Sequence, residues 1–336
     1  MKYERIVMAH GGGGSLTHEL IKELFAREFD NPVLRTSDDS AVLAMNRQGY
    51  AFTTDSYVVK PYFFPGGDIG RLAVCGTVND LAMQGAQPQW LSLGFILEEG
   101  LPLADLEKIV ASIRQAVAEV GVQIVTGDTK VVERGRCEGL YINMAGIGRV
   151  VTKNWIGGAN ARPGDVVIVN GPLGEHGVAV MSCREGIEFQ TSVVSDCAPL
   201  WPLVKEILET GVEIHTMRDP TRGGLAAAVC DIARASGVGI RLNESAIPID
   251  PAVRGACDLL GLDPLAIANE GKLILFCRAL DGERVLAAMN RHPLGREARI
   301  IGEVQEKPKS LALLRTTIGG ERIIDMPTGE DLPRIC

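Results

Sequence analysis

The fold depends most on residues 69–83, which read Ile69-Gly70-Arg71-Leu72-Ala73-Val74-Cys75-Gly76-Thr77-Val78-Asn79-Asp80-Leu81-Ala82-Met83. This stretch is largely apolar, so it predicts a helix that packs inside a domain. Asn79 and Asp80 nevertheless lie in its body. A buried carboxylate is unfavourable unless a cation or a ligand neutralises its charge. The stretch therefore predicts a core helix with a binding site beside it.

Further carboxylates stand next to strand-like runs on the N-terminal side of this helix. Asp38 and Asp39 precede a predicted strand over residues 41–44, and Asp55 ends a second one over residues 51–55. Oxygen ligands of this kind suit a magnesium ion that bridges to phosphate. These acids are therefore candidate ligands of a magnesium ion.

Another carboxylate follows the helix on its C-terminal side. Asp128 comes after the strand-like residues 122–125, and Lys130 stands two positions further on. We expect Asp128 at the end of that strand, together with the lysine.

The clearest helical period covers residues 101–120, and Gly121 ends it. Apolar side chains recur there at intervals of three and four residues: Leu103, Leu106, Val110, Ile113 and Val117. Such a stripe predicts the buried face of the helix.

The chain is long enough for two domains. Its 336 residues exceed what one hydrophobic core usually fills. Glycine and proline are dense over residues 154–165, which predicts the boundary there. We assign residues 1–155 to an N-terminal domain, 156–320 to a C-terminal domain and 321–336 to a mobile tail.

Two segments of the second domain carry candidate site residues. Asp219-Pro220-Thr221-Arg222-Gly223-Gly224 precedes a predicted helix and offers a hydroxyl, a guanidinium and backbone N–H groups to a phosphate. A helix cap with tight packing would also explain its glycines. Glu270 stands before a predicted strand over residues 273–277, where an isolated acid is as often structural as catalytic.

The last residues read Pro333-Arg334-Ile335-Cys336, and they place a thiol in a segment that we expect to be mobile. The eight cysteines are too far apart in sequence to form a C-x-x-C redox or zinc pair. From this stretch by itself, Cys336 fits a working thiol and an ordinary residue of a frayed end equally well.

Composition excludes several classes of protein. The formal net charge of -8 and the pI of about 5.3 argue against a nucleic-acid or anionic-membrane surface. The sequence contains neither an apolar run long enough to span a membrane nor a secretion signal, so we expect a cytoplasmic protein. A hydrophobic content of 46% with 39 glycines is typical of an α/β enzyme.

Five motifs in a fixed order carry a resemblance to a known superfamily. They are Asp38-Asp39-Ser40-Ala41-Val42, Thr54-Asp55, Asn79-Asp80, Thr126-Gly127-Asp128-Thr129 and Asp219-Pro220-Thr221-Arg222-Gly223-Gly224. Together they resemble the aminoimidazole-ribonucleotide synthetase (PurM-like) superfamily of ATP-using enzymes.

Further segments resemble one family within that superfamily, the HypE carbamoyl dehydratases of hydrogenase maturation. These segments are Phe63-Phe64-Pro65-Gly66-Gly67, Gly94-Phe95-Ile96-Leu97-Glu98-Glu99-Gly100, Gly127-Asp128-Thr129-Lys130-Val131-Val132, Asn269-Glu270-Gly271-Lys272 and Pro333-Arg334-Ile335-Cys336. The resemblance implies an α/β (α+β) protein of two domains and a flexible tail. It implies an N-terminal domain with a mixed or antiparallel sheet, which dimerises through that sheet, and ATP held between the domains.

The resemblance also implies a reaction, the ATP-dependent dehydration of an S-carbamoyl group on Cys336 to a thiocyanate. This reaction would supply the cyanide ligand for the iron of [NiFe]-hydrogenase, with Lys130 and Glu270 handling protons. The implied ATP-binding residues are Asp38, Thr54, Asp55, Asn79, Asp80, Asp128, Arg222, Gly223 and Gly224. The implied Mg²⁺ ligands are Asp38, Asp39, Asp55, Asp80, Asp128 and Asp219. The implied partners are a second copy of the chain in a homodimer, a HypF-like carbamoyltransferase and a HypC–HypD-type iron scaffold.

Two other functions remain open on the sequence. One is an ATP-dependent kinase or synthetase of the same superfamily that acts on a free small molecule, such as thiamine phosphate, an aminoimidazole precursor or selenide. The other is a non-catalytic adaptor in maturation, which would leave the acids at ligand-like positions unexplained.

Overall fold

The computed structural model describes residues 14–25, 33–36, 38–45, 48–184 and 192–327. The first part of the chain forms a five-stranded sheet in the order β1-β2-β7-β5-β6. β5 and β6 pair in parallel and the other neighbours are antiparallel, so the mixed sheet that we predicted is confirmed. The strands are β1 (Ala41–Met45), β2 (Gln48–Tyr57), β5 (Ala86–Glu98), β6 (Gln123–Val132) and β7 (Leu140–Val150), with β3 (Phe63–Phe64) and β4 (Gly67–Asp68) as a separate pair.

A short helix, α1 (Ser15–Leu20), precedes this sheet, and α2 (Ile69–Met83) packs on one of its faces. The bounds of α2 agree with the sequence prediction. The Asp68 carboxylate caps its N-terminus by accepting a hydrogen bond from Gly70 N at 2.7 Å. A Cβ atom at Gly70 would lie 2.8 Å from Ile109 O, so glycine lets the next helix approach closely.

That next helix, α3 (Leu103–Val120), ends at Gly121, whose φ of 78° is left-handed, as we predicted. The predicted buried face is partly wrong. Leu103 is 69% exposed and Val110 47% exposed. The buried residues are Ile109, Ile113 and Ala116. The helix packs mainly on α2, so only a narrow stripe of its surface is covered. A spacing of three and four residues is compatible with two adjacent stripes, and the sequence did not show which of them faces α2.

The second part of the chain forms a seven-stranded sheet in the order β14-β13-β10-β12-β8-β11-β9. Its strands are β8 (Asp165–Val169), β9 (Ile214–Arg218), β10 (Gly239–Asn243), β11 (Ile274–Arg278), β12 (Arg299–Gln305), β13 (Leu311–Arg315) and β14 (Glu321–Ile324). Its helices are α4 (Glu175–Met181), α5 (Trp201–Glu209), α6 (Gly224–Ser236), α7 (Pro251–Leu260) and α8 (Ala279–Met289). One hydrophobic cluster includes both Leu72 of α2 and Leu203 of α5, so the two parts pack on each other.

Two strands extend further than the sequence predicted. Asp55 lies inside β2 and Asp128 inside β6, although we expected both at strand ends. The pairing with β7 and β5 continues past these polar residues, because the backbone hydrogen bonds of a sheet do not depend on side-chain polarity.

The predicted mobile tail begins too early. Residues 321–324 form β14, which pairs with β13, and Met326 is buried in the second core. Ser15 N donates a hydrogen bond to Pro327 O at 3.1 Å. Ile324 and Met326 alternate toward the core, and their burial holds this segment. Cys336 and the rest of the predicted tail lie outside the described residues.

None of the helices in the described part of the chain combines the length and the apolarity that a membrane span requires.

Candidate active site

A cavity of about 310 Å³ lies between the two parts of the chain, and most of the acids singled out by the sequence line it. The first part contributes Asp38, Asp39, Asp55, Ser56, Tyr57, Gly76 and Asp80. The second part contributes Arg218, Asp219, Thr221, Arg222, Gly224, Ala227, Ala228, Asp231 and Glu270. Thr17, His18 and Ile21 of the N-terminal helical segment complete the wall.

Side chains of β2 form hydrogen bonds with three acids of the first wall or with their backbone. Thr53 Oγ1 lies 2.6 Å from Asp80 Oδ2 and 3.2 Å from Asp39 O. The Tyr57 hydroxyl donates to Asp55 Oδ2 at 3.3 Å. A Cβ atom at Gly76 would lie 2.5 Å from this hydroxyl, so a glycine on α2 makes room for it.

The pKa values of Asp39, Asp80 and Asp219 are raised because these side chains are buried and because the acids repel one another. Burial, opposed by Arg218, raises the pKa of Asp39 to about 6. Burial and then the charge of Asp39 raise the pKa of Asp219 to about 8. Burial followed by the charges of Asp55 and Asp219 raises the pKa of Asp80 well above its usual value. The cavity therefore favours protons or a bound cation.

The donor set fits a magnesium ion that is bound together with phosphate. In the described part of the chain, no three side chains of His, Cys, Asp or Glu lie close enough to hold an ion without further ligands. Mg²⁺ is commonly bound through one or two carboxylates together with phosphate oxygens and water. Buried acids with raised pKa values, gathered in one cavity, suit that mode of binding.

The second wall contains the N-terminus of α6. Gly223, with φ of 75°, caps the helix, and Gly224, with φ of 58°, begins it. A Cβ atom at Gly224 would lie 2.5 Å from Leu265 O, so tight packing requires a glycine there. Arg222 and Gly224 also line the cavity. The motif therefore combines tight helix packing with a position suited to phosphate binding.

Glu270 lies in the loop before β11, and it is 3% exposed. Burial raises its pKa well above the ordinary value, and the nearby charge of Asp219 adds to this effect. Asn269 joins this loop to the Asp219 segment, because Asn269 Nδ2 donates to Pro220 O at 3.0 Å. The two acids are therefore held on one framework.

Asn79 does not line the cavity, although the resemblance implied that it binds ATP. Its side chain is buried between loops of the second part of the chain. Nδ2 donates to Ala198 O at 3.1 Å and to Glu270 O at 3.3 Å, and Oδ1 accepts from Leu200 N at 2.7 Å. Its position supports the Glu270 loop.

Asp128, Lys130 and Thr54 also lie outside the cavity of their own chain. The side chains of Asp128 and Lys130 are 67% and 68% exposed, and Oδ2 lies 2.7 Å from Nζ. Asp128 aligns with Ser56 across three strand spacings, which is about 14 Å. Thr54 alternates with residues that contact α2, so it points to the opposite face of the sheet.

Sequence reasoning missed three polar residues of the cavity, namely His18, Arg218 and Asp231. Arg218 Nε lies 3.3 Å from Asp39 Oδ1, and Asp231 lies 3.8 Å from Arg218 and 3.5 Å from His18. Asp231 carries the same signal as Asp80, an acid in the body of an apolar helix. That signal could have identified it.

Comparison with known proteins defines the class first. Residues 37–150 match the AIR synthase related protein, N-terminal domain, and residues 162–313 match its C-terminal domain. The protein therefore has the two domains of an AIR synthase related protein, and the two-domain fold class predicted from the sequence is confirmed.

More specific relatives define the family. Carbamoyl dehydratase HypE of Cupriavidus necator is 53% identical, over 100% of this chain and 96% of that protein. A solved HypE–HypF complex matches with a TM-score of 0.87 and 46% identity, over 92% of this chain and 99% of that one. A structure of HypE in complex with ATP matches with a TM-score of 0.83 and 46% identity, over 99% and 100%. The chain belongs to the HypE family, which confirms the resemblance found in the sequence.

Proposed function

We propose that this protein is an ATP-dependent carbamoyl dehydratase, which converts an S-carbamoyl group on Cys336 to a thiocyanate for hydrogenase maturation. The observation that carries the proposal is the cavity, in which acids with raised pKa values face Arg222 and the N-terminus of α6. Relatives at about half identity over their whole length are named for this activity. They favour it over a small-molecule kinase or an adaptor.

The reaction needs a site for phosphate, because the carbamoyl oxygen is a poor leaving group. Transfer of the γ-phosphoryl group of ATP to this oxygen makes phosphate the leaving group. Arg222 lines the cavity and would hold phosphoryl oxygens, together with the backbone N–H of Gly223 at the start of α6. Gly224 N already donates to Thr221 O at 2.9 Å, so Gly224 contributes close approach of the backbone. We place ATP in the cavity between the two parts of the chain because the acids and Arg222 lie there. Binding of ATP itself is supported by a HypE relative that was solved in complex with ATP.

Magnesium would supply positive charge to the phosphate groups. Asp38, Asp39, Asp55, Asp80 and Asp219 line the cavity and would hold it. The Asp38 carboxylate already accepts a hydrogen bond from Gly158 N at 2.7 Å, so one of its oxygens has a fixed direction.

The reaction also needs a proton acceptor, because the carbamoyl nitrogen loses both of its protons as the C–O bond breaks. The products are the thiocyanate, ADP and phosphate. Glu270 faces the cavity, and its raised pKa makes the ionised carboxylate a stronger base than an exposed Glu. We assign the two proton transfers to Glu270 and Lys130, of which Lys130 can accept a proton only as the neutral amine.

The thiol must reach this cavity from the C-terminal segment. Pro327 lies beside the N-terminus of α6, since a Cβ atom at Gly223 would be 3.7 Å from Pro327 Cγ. Nine residues follow Pro327 and end at Cys336, and they span at most about 30 Å when extended. The path therefore begins near the rim of the cavity, and its length is sufficient.

A homodimer would bring Lys130 to a cavity. The face of the first sheet opposite α2 exposes large apolar side chains, namely Phe52, Trp90, Ile96 and Ile147. β6 is the edge strand of this sheet, and its Lys130 aligns with Ile96 on the same open face. Burial of this surface against a second copy would be favourable, and it would place Asp128 and Lys130 against the partner subunit.

The cyanide pathway needs two further partners. One relative was solved as a HypE–HypF complex, so we propose that a HypF-like carbamoyltransferase supplies the carbamoyl group. A HypC–HypD-type iron scaffold would accept the cyanide. The use of ATP favours the cytoplasm as the location of all three.

Intact-mass spectrometry of the C-terminal peptide tests the proposal. With a HypF-like carbamoyltransferase, carbamoyl phosphate and ATP, we expect the Cys336 peptide first to gain a carbamoyl group and then to lose one water. The second change should require hydrolysable ATP. An unmodified Cys336 peptide under these conditions would contradict the proposed function, and Cys183, which is exposed, provides an internal control for nonspecific thiol carbamoylation.

A further inference from the structure

Asp196 accepts two hydrogen bonds from the backbone of the Glu270 loop, whereas Asn79 makes one to the same loop. The Asp196 side chain is 1% exposed. Oδ1 accepts a hydrogen bond from Glu270 N at 3.1 Å, and Oδ2 accepts one from Gly271 N at 3.2 Å. One carboxylate therefore binds two consecutive N–H groups, which restricts the backbone dihedral angles from which the Glu270 side chain extends.

Backbone contacts strengthen this arrangement. Ala198 N donates to Glu270 O at 3.3 Å. A Cβ atom at Gly271 would lie 1.9 Å from Asp196 O, so only glycine permits the two chain segments to lie this close. Glycine at position 271 thus serves the contact with Asp196.

The loop that carries Asp196 is itself fixed to its surroundings. Ser195 N donates to Pro65 O at 2.8 Å, and Ser195 Oγ lies 2.8 Å from His176 Nδ1. Both Ser195 and His176 are buried. Asp196 is therefore supported from both domains, and its position does not depend on the Glu270 loop alone.

A buried lysine compensates the charge of Asp196. Lys272 Nζ lies 3.4 Å from Asp196 Oδ2 and 2.8 Å from Glu175 Oε2. The lysine side chain is 10% exposed and does not line the cavity. Its ion pairs with two acids compensate their buried charges, so Lys272 is a partner of this loop and not a candidate base.

We infer that Asp196 is a positioning residue for the dehydration, because its carboxylate holds the Glu270 backbone and so presents the Glu270 side chain to the cavity. The inference rests on the proposed role of Glu270 in proton transfer. Asp196 does not line the cavity, so it acts on the reaction only through Glu270.

A double-mutant cycle on the full-length protein tests the inference. The measured quantity is the single-turnover rate of water loss from the carbamoylated Cys336 peptide at saturating ATP. We expect Asp196→Asn to lower this rate roughly 10- to 100-fold, with ATP affinity unchanged, since a displaced base loses catalytic efficiency. In the Glu270→Gln background, the same substitution should change the residual rate less than about twofold, because the group that it positions is already lost.

A second variant and a matched control separate positioning from loss of stability. Asp196→Glu keeps the charge and the Lys272 partner but moves the oxygens, so it should lose rate while remaining folded. The control is Asp165→Asn. Asp165 is also buried, and it accepts hydrogen bonds from Arg162 N at 2.8 Å and His215 Nδ1 at 2.8 Å, far from Glu270 in the sequence. It should lower the melting temperature without changing the rate.

Three results would overturn the inference. The first is a wild-type rate in both Asp196 variants. The second is an equal loss from Asp196→Asn in the wild-type and Glu270→Gln backgrounds, and the third is a similar loss of rate in Asp165→Asn. If Glu270→Gln itself keeps the wild-type rate, the proposed role of Glu270 fails, and the inference fails with it.

Discussion

Two groups of acids in this protein have the same chemistry and opposite surroundings. Asp39, Asp80 and Asp219 lie in a cavity, where burial raises their pKa values. Asp128 is exposed on the edge strand β6, where hydrogen bonds from Lys130 lower its pKa. In the first group, unfavourable burial points to a ligand. In the second group, the surroundings satisfy the charge without one.

Burial of charge and family resemblance support different parts of the candidate site. Burial of a charge identifies the cavity acids from physical chemistry alone. Asp128 and Lys130 carry no such signal in a single chain, and their assignment depends on the family resemblance and on a second subunit. The following experiments test that distinction.

The largest effect should come from a cavity acid. We expect Asp80→Asn to lower ATP-dependent water loss from the Cys336 peptide roughly 100-fold or more, because it removes a carboxylate that would hold magnesium against the phosphate groups. Asp258→Asn is the control, since Asp258 is exposed on α7. A rate for Asp80→Asn equal to that of the control would remove the cavity from the mechanism.

The next experiment asks whether Lys130 acts on the cavity of a partner subunit. Lys130→Met and Glu270→Gln homodimers should both be inactive. A heterodimer that carries one substitution in each subunit should recover about half of wild-type activity, because one of its two cavities contains both groups. Dual-tag purification followed by the mass assay measures this, and a heterodimer without activity would show that Lys130 serves its own chain or no site.

An effect of intermediate size should appear in the pH dependence of the free energy of unfolding, and it should come from Asp219. The pKa of Asp219 rises from 3.8 unfolded to about 8 folded, so the folded state binds more protons between these values. Asp219 therefore lowers the free energy of unfolding as pH rises through that window. Relative to wild type, the free energy of unfolding of Asp219→Asn should therefore increase by on the order of 2 kcal/mol between pH 5 and pH 8. The increase is smaller than for an isolated group, because neighbouring acids share the protons.

Urea unfolding of both proteins without nucleotide or metal measures this difference. Ligand-free samples are needed because bound cations would stabilise the ionised carboxylates of wild type. A stability difference that stays constant with pH would show that Asp219 is ionised across the whole range.

The smallest effect should come from the exposed pair. Asp128→Asn removes the carboxylate 2.7 Å from Lys130 Nζ, yet both side chains are about two-thirds exposed. Surface ion pairs contribute little to stability, so we expect no measurable change in the melting temperature of the nucleotide-free protein. A clear loss of stability would mean that this pair is buried in the homodimer, and sedimentation of both proteins would then be compared.

Much of the fold followed from local patterns in the sequence. The bounds of α2 and the end of α3 at Gly121 were correct, since apolar composition and a left-handed glycine act locally. The buried face of α3 was partly wrong, because it depends on which neighbour covers the helix. The tail was placed too early, because Ile324 and Met326 are held by a distant core.

The sequence by itself determined the order of the acidic motifs, the buried helix at residues 69–83 and the family resemblance. Tertiary structure alone decided which of those residues meet. It brought Asp80, Asp219 and Glu270 into one cavity, turned Asn79 into a support and revealed Asp196. The physical reason is that strand register and side-chain direction depend on pairing between distant segments, whereas helix signals depend on residues that are close in the sequence.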